Sequence, residues 1–221
     1  LKPDITDVTK LYRSNEIDGF FGVFSDIFVI NADGLPTRLV YIADYSDSGD
    51  VIIAHPQVKS LQDLKGKTIS FEGVDTFSNM LVISLLAKAG VKIGEFPALQ
   101  VLESLEAGKI DAGHTWEPVT SQALAKGYKI LGKAGDIPGI ITDVLAFRND
   151  VIDQRASDIQ HIVEALLEAS EFASKHPDEA LEIMAQAEGM SKTEMETGLK
   201  GVHPANLLEN IAAMQPGGAL F

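Results

Sequence analysis

The sequence predicts an α/β fold with two lobes, each a mostly parallel β-sheet flanked by helices. Predicted strands and helices alternate up to residue 150, an order that is typical of parallel sheets. A step that ends a helix and enters a strand occurs at residues 105–112 (LEAGKIDA), and residues 13–19 (RSNEIDG) are a weaker copy. The repeated step indicates two lobes built on one scheme. No apolar run in the sequence approaches the roughly 20 residues of a membrane span.

The individual elements follow from local patterns. Short runs rich in apolar and β-branched residues, bounded by Gly, Pro, Asp or Ser, predict strands. These strands are 18–23, 37–43, 51–54, 68–71, 110–115, 128–131 and 142–148. Apolar residues at helical spacing, often ended by a glycine, predict helices. These helices are 25–34, 75–90, 97–107 and 118–126 and, beyond residue 150, where strand signals disappear, 154–175, 177–188, 192–200 and 206–214.

The order of these elements predicts that one lobe is inserted into the other. Lobe 1 comprises residues 1–53 and 143–221, and lobe 2 comprises residues 54–142. Ligands of open α/β sheets bind beyond the carboxyl ends of the strands. Two such lobes are therefore expected to form a cleft that closes on a ligand by hinge motion.

The composition excludes several classes of function. A net charge of −14 argues against nucleic acid and anionic lipid as partners, since both attract clustered Lys and Arg. The absence of cysteine excludes thiol catalysis, disulfide bonds and cysteine-based metal sites. The sequence also lacks H-x-x-x-H, H-E-x-x-H, G-x-G-x-x-G and G-x-S-x-G motifs. We therefore expect no metal, no cofactor and no catalytic residue.

Four segments, in this order along the chain, carry a resemblance to one protein family, and the first is the weaker helix-to-strand step at residues 13–19. Residues 61–67 (LQDLKGK) resemble its entry into the second lobe, and residues 105–112 resemble its helix-to-strand step. Residues 116–118 (WEP) resemble the W-x-P that follows this strand. The family is that of periplasmic (type II) solute-binding proteins of ABC transporters, in the nitrate/sulfonate/taurine and thiamine-pyrimidine-precursor branch.

The resemblance implies a two-lobe periplasmic-binding-protein fold (type II). In this family one strand and one helix normally precede the segment that aligns with residues 5–24, so the first βα unit is expected to be missing here. The resemblance also implies a periplasmic or extracytoplasmic monomer, not an enzyme, which captures a small molecule and delivers it to an ABC permease. Two alternatives stay open: a ligand-sensing domain of a membrane-bound signalling protein, and an enzyme similar to a pyrimidine synthase of the same scaffold. That synthase carries a cysteine-rich stretch, which this sequence lacks.

Candidate ligand contacts in lobe 2 begin with a loop before a predicted helix. The loop consists of Gly73, Val74, Asp75 and Thr76. Its backbone N–H groups and the Thr76 hydroxyl can meet an acceptor on a ligand. The alternative is an ordinary helix cap.

Three further candidates, His114, Trp116 and Glu117, surround the end of the predicted strand 110–115. Trp116 can stack on a flat or apolar ligand, and Glu117 can pair with a cation or an amine. His114 can donate a hydrogen bond to the ligand. The alternatives are a packed tryptophan, a glutamate at a helix N-terminus beside Pro118, and a histidine that is simply packed and hydrogen-bonded.

The candidates in lobe 1 follow its first two strands in the same way. Ser25 can contact a ligand or act as a helix N-cap. Tyr45 offers a possible second ring facing Trp116. The candidates in lobe 1 are Phe24, Ser25, Asp44, Tyr45 and Ser46.

The scarcity of arginine bears on the class of ligand. The four arginines are Arg13, Arg38, Arg148 and Arg155. None lies in a predicted ligand loop, so a sulfonate- or nitrate-like anion would have to bind helix N-termini and hydroxyl groups. A neutral or cationic heterocycle of the thiamine-pyrimidine kind would instead bind Trp116, Tyr45 and acidic side chains. Both classes stay open.

Overall fold

The computed structural model describes residues 5–71, 76–88 and 100–215 of the chain. Its strands are β1 (Gly19–Val23), β2 (Thr37–Ser46), β3 (Val51–Ala54), β4 (Ile69–Ser70), β5 (Ala112–Thr115), β6 (Lys129–Lys133), β7 (Thr142–Arg148) and β8 (Val202–Pro204). Its helices are α1 (Ile5–Arg13), α2 (Phe24–Ala32), α3 (Phe77–Lys88), α4 (Val101–Glu106), α5 (Val119–Ala125), α6 (Asn149–Gln154), α7 (Ala156–Lys175), α8 (Pro177–Glu188), α9 (Lys192–Leu199) and α10 (Leu207–Met214). None of these helices combines the length and the apolar character that a membrane crossing needs.

Most predicted elements are present within a few residues of their predicted bounds, and β3, β7 and α8 match them. Three described elements, α1, α6 and β8, were absent from the predicted helices and strands. The expected loss of strands beyond residue 150 is wrong at β8, where the sequence Val-His-Pro has little β propensity of its own. The predicted end at Gly90 and the start at Pro97 lie outside the described residues.

The chain divides into two compact units. Unit 1 comprises residues 1–45, 142–183 and 204–221, and unit 2 comprises residues 46–141 and 184–203. The predicted boundary after residue 53 is too late, because β3 pairs with β5 and β6 in the sheet of unit 2. The expectation that lobe 1 holds the whole C-terminal region also differs from the structure, since residues 184–203 group with unit 2.

Unit 1 is built on a four-stranded sheet in the order β1-β7-β2-β8. β7 runs antiparallel to both β1 and β2. The carboxyl ends of β1 and β2 therefore meet the amino end of β7. At this edge Asp143 lies opposite Val23 on one side and opposite Asp44 on the other.

The core of unit 1 covers both faces of this sheet, because successive residues of β7 point to opposite faces. On one face Val144 and Ala146 pack with buried residues of α1, α2 and α10. On the other face Leu145 and Phe147 pack with buried residues of α6 and α7. A central strand that is apolar on both faces fixes the register of the whole sheet.

Unit 2 is built on a second four-stranded sheet in the order β4-β5-β3-β6. β3 runs antiparallel to β5 and β6, and β4 runs parallel to β5. Leu105 of α4 and Ala123 of α5 pack on the buried side chains of β3. Because β3 and β5 are antiparallel, the carboxyl end of β5 lies beside the amino end of β3, where Thr115 is opposite Val51.

Of the strand pairs whose register is described, only β4 with β5 is parallel, so the prediction of mostly parallel sheets does not hold for these pairs. β7 begins directly after the chain passes from unit 2 into unit 1, and β3 follows the opposite passage. Each enters its sheet at the edge where its neighbours end, so it runs antiparallel to them. β1 and β2 both run antiparallel to β7, so they point in the same direction with β7 between them.

The repeated helix-to-strand step has the same backbone geometry in both units. Asn15 follows α1 with a φ of 60°, and Gly108 follows α4 with a φ of 65°. In each copy the N–H of this residue donates to the carbonyl three residues earlier in the chain. The N–H of the next residue donates to the carbonyl five residues before it, and all four N···O distances are 2.9 to 3.2 Å. This is the Schellman pattern of hydrogen bonds that ends a helix. The prediction that the two lobes share this step is therefore confirmed.

Candidate functional site

The edge of unit 1 where β1 and β2 end holds four of the predicted ligand residues. Phe24 and Ser25 open α2 directly after β1, and Asp44 and Tyr45 end β2. The structure brings them together, because β7 pairs with both strands at this edge. Asp143 of β7 lies between them and was not predicted as a site residue. Little in the sequence indicated Asp143, since it is the long-range pairing of β7 with β1 and β2 that brings the start of β7 to this edge.

Ser25 does not cap α2. Val23 holds the N-cap position, and its N–H donates to the carboxylate of Asp26 at 2.9 Å. Ser25 is only 7% exposed, and its Oγ has no hydrogen-bond partner among the described residues. Buried hydroxyl groups are usually hydrogen-bonded, so this oxygen is an unused donor and acceptor at the N-terminus of α2. The alternative role of Ser25 as an N-cap is wrong.

Asp26 adds a buried carboxyl to the same edge. Burial raises the pKa of Asp26 above its ordinary value of 3.8, against the hydrogen bond from Val23, which lowers it. Asp44 and Asp143 are half-buried, and they face one another across β2 and β7. Residues 18–26, 41–46 and 142–147 contain no Lys or Arg. Asp26, Asp44 and Asp143 therefore bring three acidic side chains to this edge of unit 1.

Two aromatic side chains at this edge have different surroundings. The ring of Phe24 lies edge-on to that of Phe28, with 4.7 Å between their centroids, and Phe28 is exposed. Tyr45 packs against the core of unit 1. Burial and the negative charge of Glu209 raise the pKa of the Tyr45 hydroxyl. Part of the Tyr45 ring is therefore used in packing.

Unit 2 presents an aromatic cluster formed by Phe77, His114 and Trp116. Trp116 follows β5 and is 42% exposed. The centroid of its ring lies 5.5 Å from that of His114 and 6.2 Å from that of Phe77. Phe77 stands edge-on to His114 at 5.7 Å. Phe77 was not predicted, although its position at the start of a helix beside a candidate loop was a usable signal.

His114 lies beneath this cluster and is only 1% exposed. Its Nε2 lies 3.0 Å from Oδ1 of Asp50, and its Nδ1 lies 2.7 Å from Oγ of Ser78. Both ring nitrogens are thus engaged within unit 2, in contrast to the predicted role as a direct donor to the ligand. The alternative interpretation, a packed and hydrogen-bonded histidine, describes it better.

Asp50, His114 and Ser78 are the residue types of a serine hydrolase triad, but their surroundings differ from those of a triad. A nucleophilic serine has to reach its substrate. Ser78 is 0% exposed, and its neighbour His114 is almost as deeply buried. The three residues therefore form an internal hydrogen-bonded chain rather than an accessible nucleophile.

Ser46 belongs to the entry segment of unit 2 (residues 46–50). It is buried, its N–H donates to the carbonyl of Ile141 at 3.0 Å, and its Oγ accepts from the N–H of Asp50 at 3.1 Å. The N–H groups of residues 47–49 all donate to the carbonyl of Gly201, at 2.8 to 2.9 Å. Ser46 therefore stabilises the backbone, which differs from its predicted role as a ligand contact.

Thr76 and Glu117 both act at helix N-termini. The Oγ1 of Thr76 accepts from the N–H of Asn79 at 3.3 Å in the first turn of α3. The carboxylate of Glu117 accepts from the N–H and the hydroxyl of Ser121 at 3.2 and 2.9 Å, in the first turn of α5. The peptide bond between Glu117 and Pro118 is cis. The alternatives are therefore confirmed: a helix cap for Thr76, and a glutamate at a helix N-terminus for Glu117.

The other predicted residues of the first loop, Gly73, Val74 and Asp75, lie outside the described residues. Within the part of the chain that the structure describes, no group of His, Asp and Glu is arranged to hold a metal ion.

Comparison with known proteins identifies a family and a fold. A family model described as NMT1/THI5-like matches residues 2–180. A Brucella abortus protein that is named as a binding protein is 29% identical over 161 residues, which are 68% of this chain and 50% of that protein. The chain thus spans about half the length of the curated relatives it matches.

Solved structures show the same fold. The periplasmic aliphatic sulphonate binding protein SsuA from Escherichia coli has a TM-score of 0.72 and 20% identity, covering 94% of this chain and 74% of its own. A ligand binding component of an ABC-type import system from Staphylococcus aureus, solved with zinc bound, has a TM-score of 0.75 and 17% identity. That match covers 100% of this chain and 76% of the other. The expected periplasmic-binding-protein fold is confirmed.

Proposed function

Because the chain belongs to the NMT1/THI5-like family, we propose that it is an extracytoplasmic solute-binding protein. It captures a small molecule between its two units by hinge closure and delivers it to an ABC importer. The observation that carries this proposal is the exposed ring of Trp116, held against Phe77 at the carboxyl end of β5. A large aromatic ring at a strand end is the kind of surface on which small molecules stack.

The edge of unit 1 supports the same proposal. Ligands of α/β sheets bind at strand ends, and Phe24, Ser25, Asp44 and Tyr45 lie at such an edge. The buried Oγ of Ser25 has no partner among the described residues, so it is available to a polar group of the solute. We add Asp143 and Phe77 to the proposed ligand-facing residues. His114 and Ser46 are instead proposed to have structural roles, His114 beneath the aromatic rings and Ser46 in the backbone of the entry segment.

The charges favour a neutral or cationic heterocycle as the solute. Asp26, Asp44 and Asp143 bring three carboxyl groups to one edge of unit 1, and carboxyl groups accept hydrogen bonds from donors on a solute rather than from an anion. An amino-substituted ring, as in a thiamine-pyrimidine-like heterocycle, offers donors to the carboxylates and a flat face to Trp116. A sulfonate, the ligand named for the Escherichia coli neighbour, or a nitrate-like anion would have to rely on helix N-termini and on hydroxyl groups such as that of Ser25.

The proposal includes no chemistry on the solute. The Brucella abortus relative and the Escherichia coli neighbour carry the names of binding proteins, and the triad-like arrangement at Ser78 is buried. The partners we propose are the solute and an ABC permease, and the protein acts as a monomer.

A ligand screen tests the proposal directly. Trp116 is the single tryptophan, so its fluorescence reports on the aromatic cluster alone, while thermal unfolding reports on binding anywhere in the protein. The panel contains aminopyrimidine precursors of thiamine, riboflavin, polyamines, taurine, alkanesulfonates, nitrate and bicarbonate. A ligand at 100 times its Kd raises the free energy of unfolding by about 2.7 kcal/mol.

We expect a flat nitrogen-containing compound both to raise the melting temperature and to change the fluorescence of Trp116. Stabilisation by sulfonates or nitrate alone would contradict the proposed ligand class but leave solute binding in place. A folded protein that no member of the panel stabilises would count against both.

A further inference from the structure

A polar relay formed by Asp50, His114 and Ser78 connects three separate elements beneath Trp116. Asp50 ends the entry segment, Ser78 lies in the first turn of α3, and His114 lies in β5. The side chain of His114 is fully buried, and that of Asp50 is 14% exposed. Because each ring nitrogen of His114 has its own partner, the imidazole is fixed against rotation.

The outer end of the relay is itself anchored. The N–H of Asp50 is bound by Ser46, and Ser46 is bound by the carbonyl of Ile141. The three N–H groups of residues 47–49 converge on the carbonyl of Gly201, and the carbonyl of Asp50 accepts from the N–H of Ala134 at 3.0 Å. Asp50 therefore holds His114 from a segment whose backbone is tied to three other parts of unit 2.

His114, the middle residue of the relay, supports the rings of Trp116 and Phe77. The imidazole of His114 contacts both Trp116 and Phe77, so it fills the space beneath the two rings. Trp116 is too exposed to be held by burial, and side chains that are ordered only on binding lower the affinity. A fixed imidazole removes part of that ordering cost.

We propose that Asp50 and Ser78 are positioning residues, which fix His114 and through it hold Trp116 and Phe77 ready for a flat solute. This inference rests on the proposed function, in which Trp116 contacts the solute. Neither residue touches the solute itself; they act through the imidazole. The relay thus couples the segment by which the chain enters unit 2 to the surface that we propose for binding.

The test uses the ligand-free protein first, since Trp116 is the single tryptophan. We compare the emission maximum and the acrylamide quenching of Trp116 in wild type, Asp50→Ala, Asp50→Asn and Ser78→Ala. Asp50→Ala removes the acceptor of the His114 ring, so we expect a red shift and stronger quenching. Asp50→Asn keeps an acceptor oxygen at the same place, so we expect it to restore most of the wild-type spectrum. Ser78→Ala should give a smaller shift in the same direction.

Asp47→Ala is the matched control. Asp47 lies in the same entry segment, but its exposed carboxylate pairs with Lys133 at 2.9 Å and does not contact His114. We expect its spectrum to equal that of wild type. The proposal is overturned if folded Asp50→Ala and Ser78→Ala keep the wild-type spectrum and merely melt at a lower temperature. It is also overturned if Asp47→Ala changes the spectrum as much as Asp50→Ala does.

Binding of the aminopyrimidine precursor of thiamine, measured by calorimetry, separates this inference from the proposed function. We expect Asp50→Ala to weaken binding of this probe roughly tenfold, which corresponds to about 1.4 kcal/mol, and Asp47→Ala to leave it unchanged. If wild type does not bind the probe, the proposed ligand class fails, while the ligand-free spectra still decide whether Asp50 and Ser78 position Trp116.

Discussion

At the scale of single residues, the two proposed binding surfaces differ in chemistry. Unit 2 offers an exposed ring, Trp116, supported by buried polar groups. Unit 1 offers the buried hydroxyl of Ser25, which has no hydrogen-bond partner among the described residues, at the same edge as the carboxyl groups of Asp26 and Asp44. A solute that suits both surfaces has an aromatic face and hydrogen-bond donors at its rim.

Asp26 makes the stability of the protein depend on pH in a defined direction. Because burial raises its folded pKa above 3.8, the folded state binds this proton more tightly than the unfolded state between 3.8 and the raised pKa. The stabilising contribution is therefore present at low pH and is lost as pH rises through this window. Asp26→Asn keeps an acceptor for the N–H of Val23 without a charge. We therefore expect the difference in free energy of unfolding between Asp26→Asn and wild type to shift in favour of Asp26→Asn as pH rises through this window. Above the window the difference should stay constant.

Urea unfolding of both proteins over a pH series measures this difference. If the free energy of unfolding depended on pH in the same way in wild type and Asp26→Asn, the carboxyl of Asp26 would titrate alike in the folded and unfolded states. That result would contradict the burial cost assigned to this group.

At the scale of elements, the Schellman ends of α1 and α4 allow a matched prediction. Gly108 has a φ of 65°, where a Cβ is unfavourable, and Asn15 occupies the same position in the other copy. We expect Gly108→Ala to lower the free energy of unfolding by about 1–2 kcal/mol. Gly108→Asn should cost clearly less, because Asn tolerates this conformation, as Asn15 does in unit 1. Chemical denaturation measures both, and an equal loss in the two variants would be inconsistent with a backbone cause.

Gly201 holds the entry segment by close backbone approach. A Cβ on Gly201 would lie 2.6 Å from the backbone nitrogen of Gly49, so Gly201→Ala has to break the hydrogen bonds that residues 47–49 make. We expect this variant to lose about 2 kcal/mol of stability, since the N–H groups of residues 47–49 lose their shared acceptor. Amide hydrogen exchange at residues 47–49 should become faster.

Gly198→Ala is the control for this prediction. It lies in α9, where an added Cβ meets only Glu117 at 3.8 Å, and alanine favours a helix over glycine. Its stability should be unchanged or higher. Protection of residues 47–49 that is equal in Gly201→Ala and wild type would show that the carbonyl of Gly201 does not hold the entry segment.

The elements also show what the sequence could reveal. Local signals placed β3, β7 and α8 correctly, and the repeated step was recognisable because a few adjacent residues determine a Schellman end. The direction of β3 and β7 relative to their neighbours was missed, because it depends on where the chain passes between the units. His114 looked like a candidate donor, since its partners Asp50 and Ser78 are distant in sequence.

At the scale of the whole molecule, the units are discontinuous in sequence. Unit 2 includes residues 184–203, which the sequence could not assign, because long-range contacts such as that of the Gly201 carbonyl decide their place. The chain passes between the units after residues 45, 141, 183 and 203.

Hinge closure makes a prediction for the protein in solution. If the two units close on a solute, small-angle X-ray scattering should give a smaller radius of gyration with the stabilising compound than without it. A compound from the panel that does not stabilise the protein serves as the control. An unchanged radius at saturating compound would mean that binding takes place without closure.

In the proposed function, the exposed ring of Trp116 binds the solute. The most direct measurement is calorimetric titration of wild type, Trp116→Phe and Trp116→Ala with the compound that stabilises the protein most. Central aromatic contacts commonly contribute 2 kcal/mol or more to affinity. We predict a loss of roughly tenfold or more in affinity for Trp116→Ala and a smaller loss for Trp116→Phe, which keeps a ring. Equal affinities in all three proteins would show that the solute binds elsewhere.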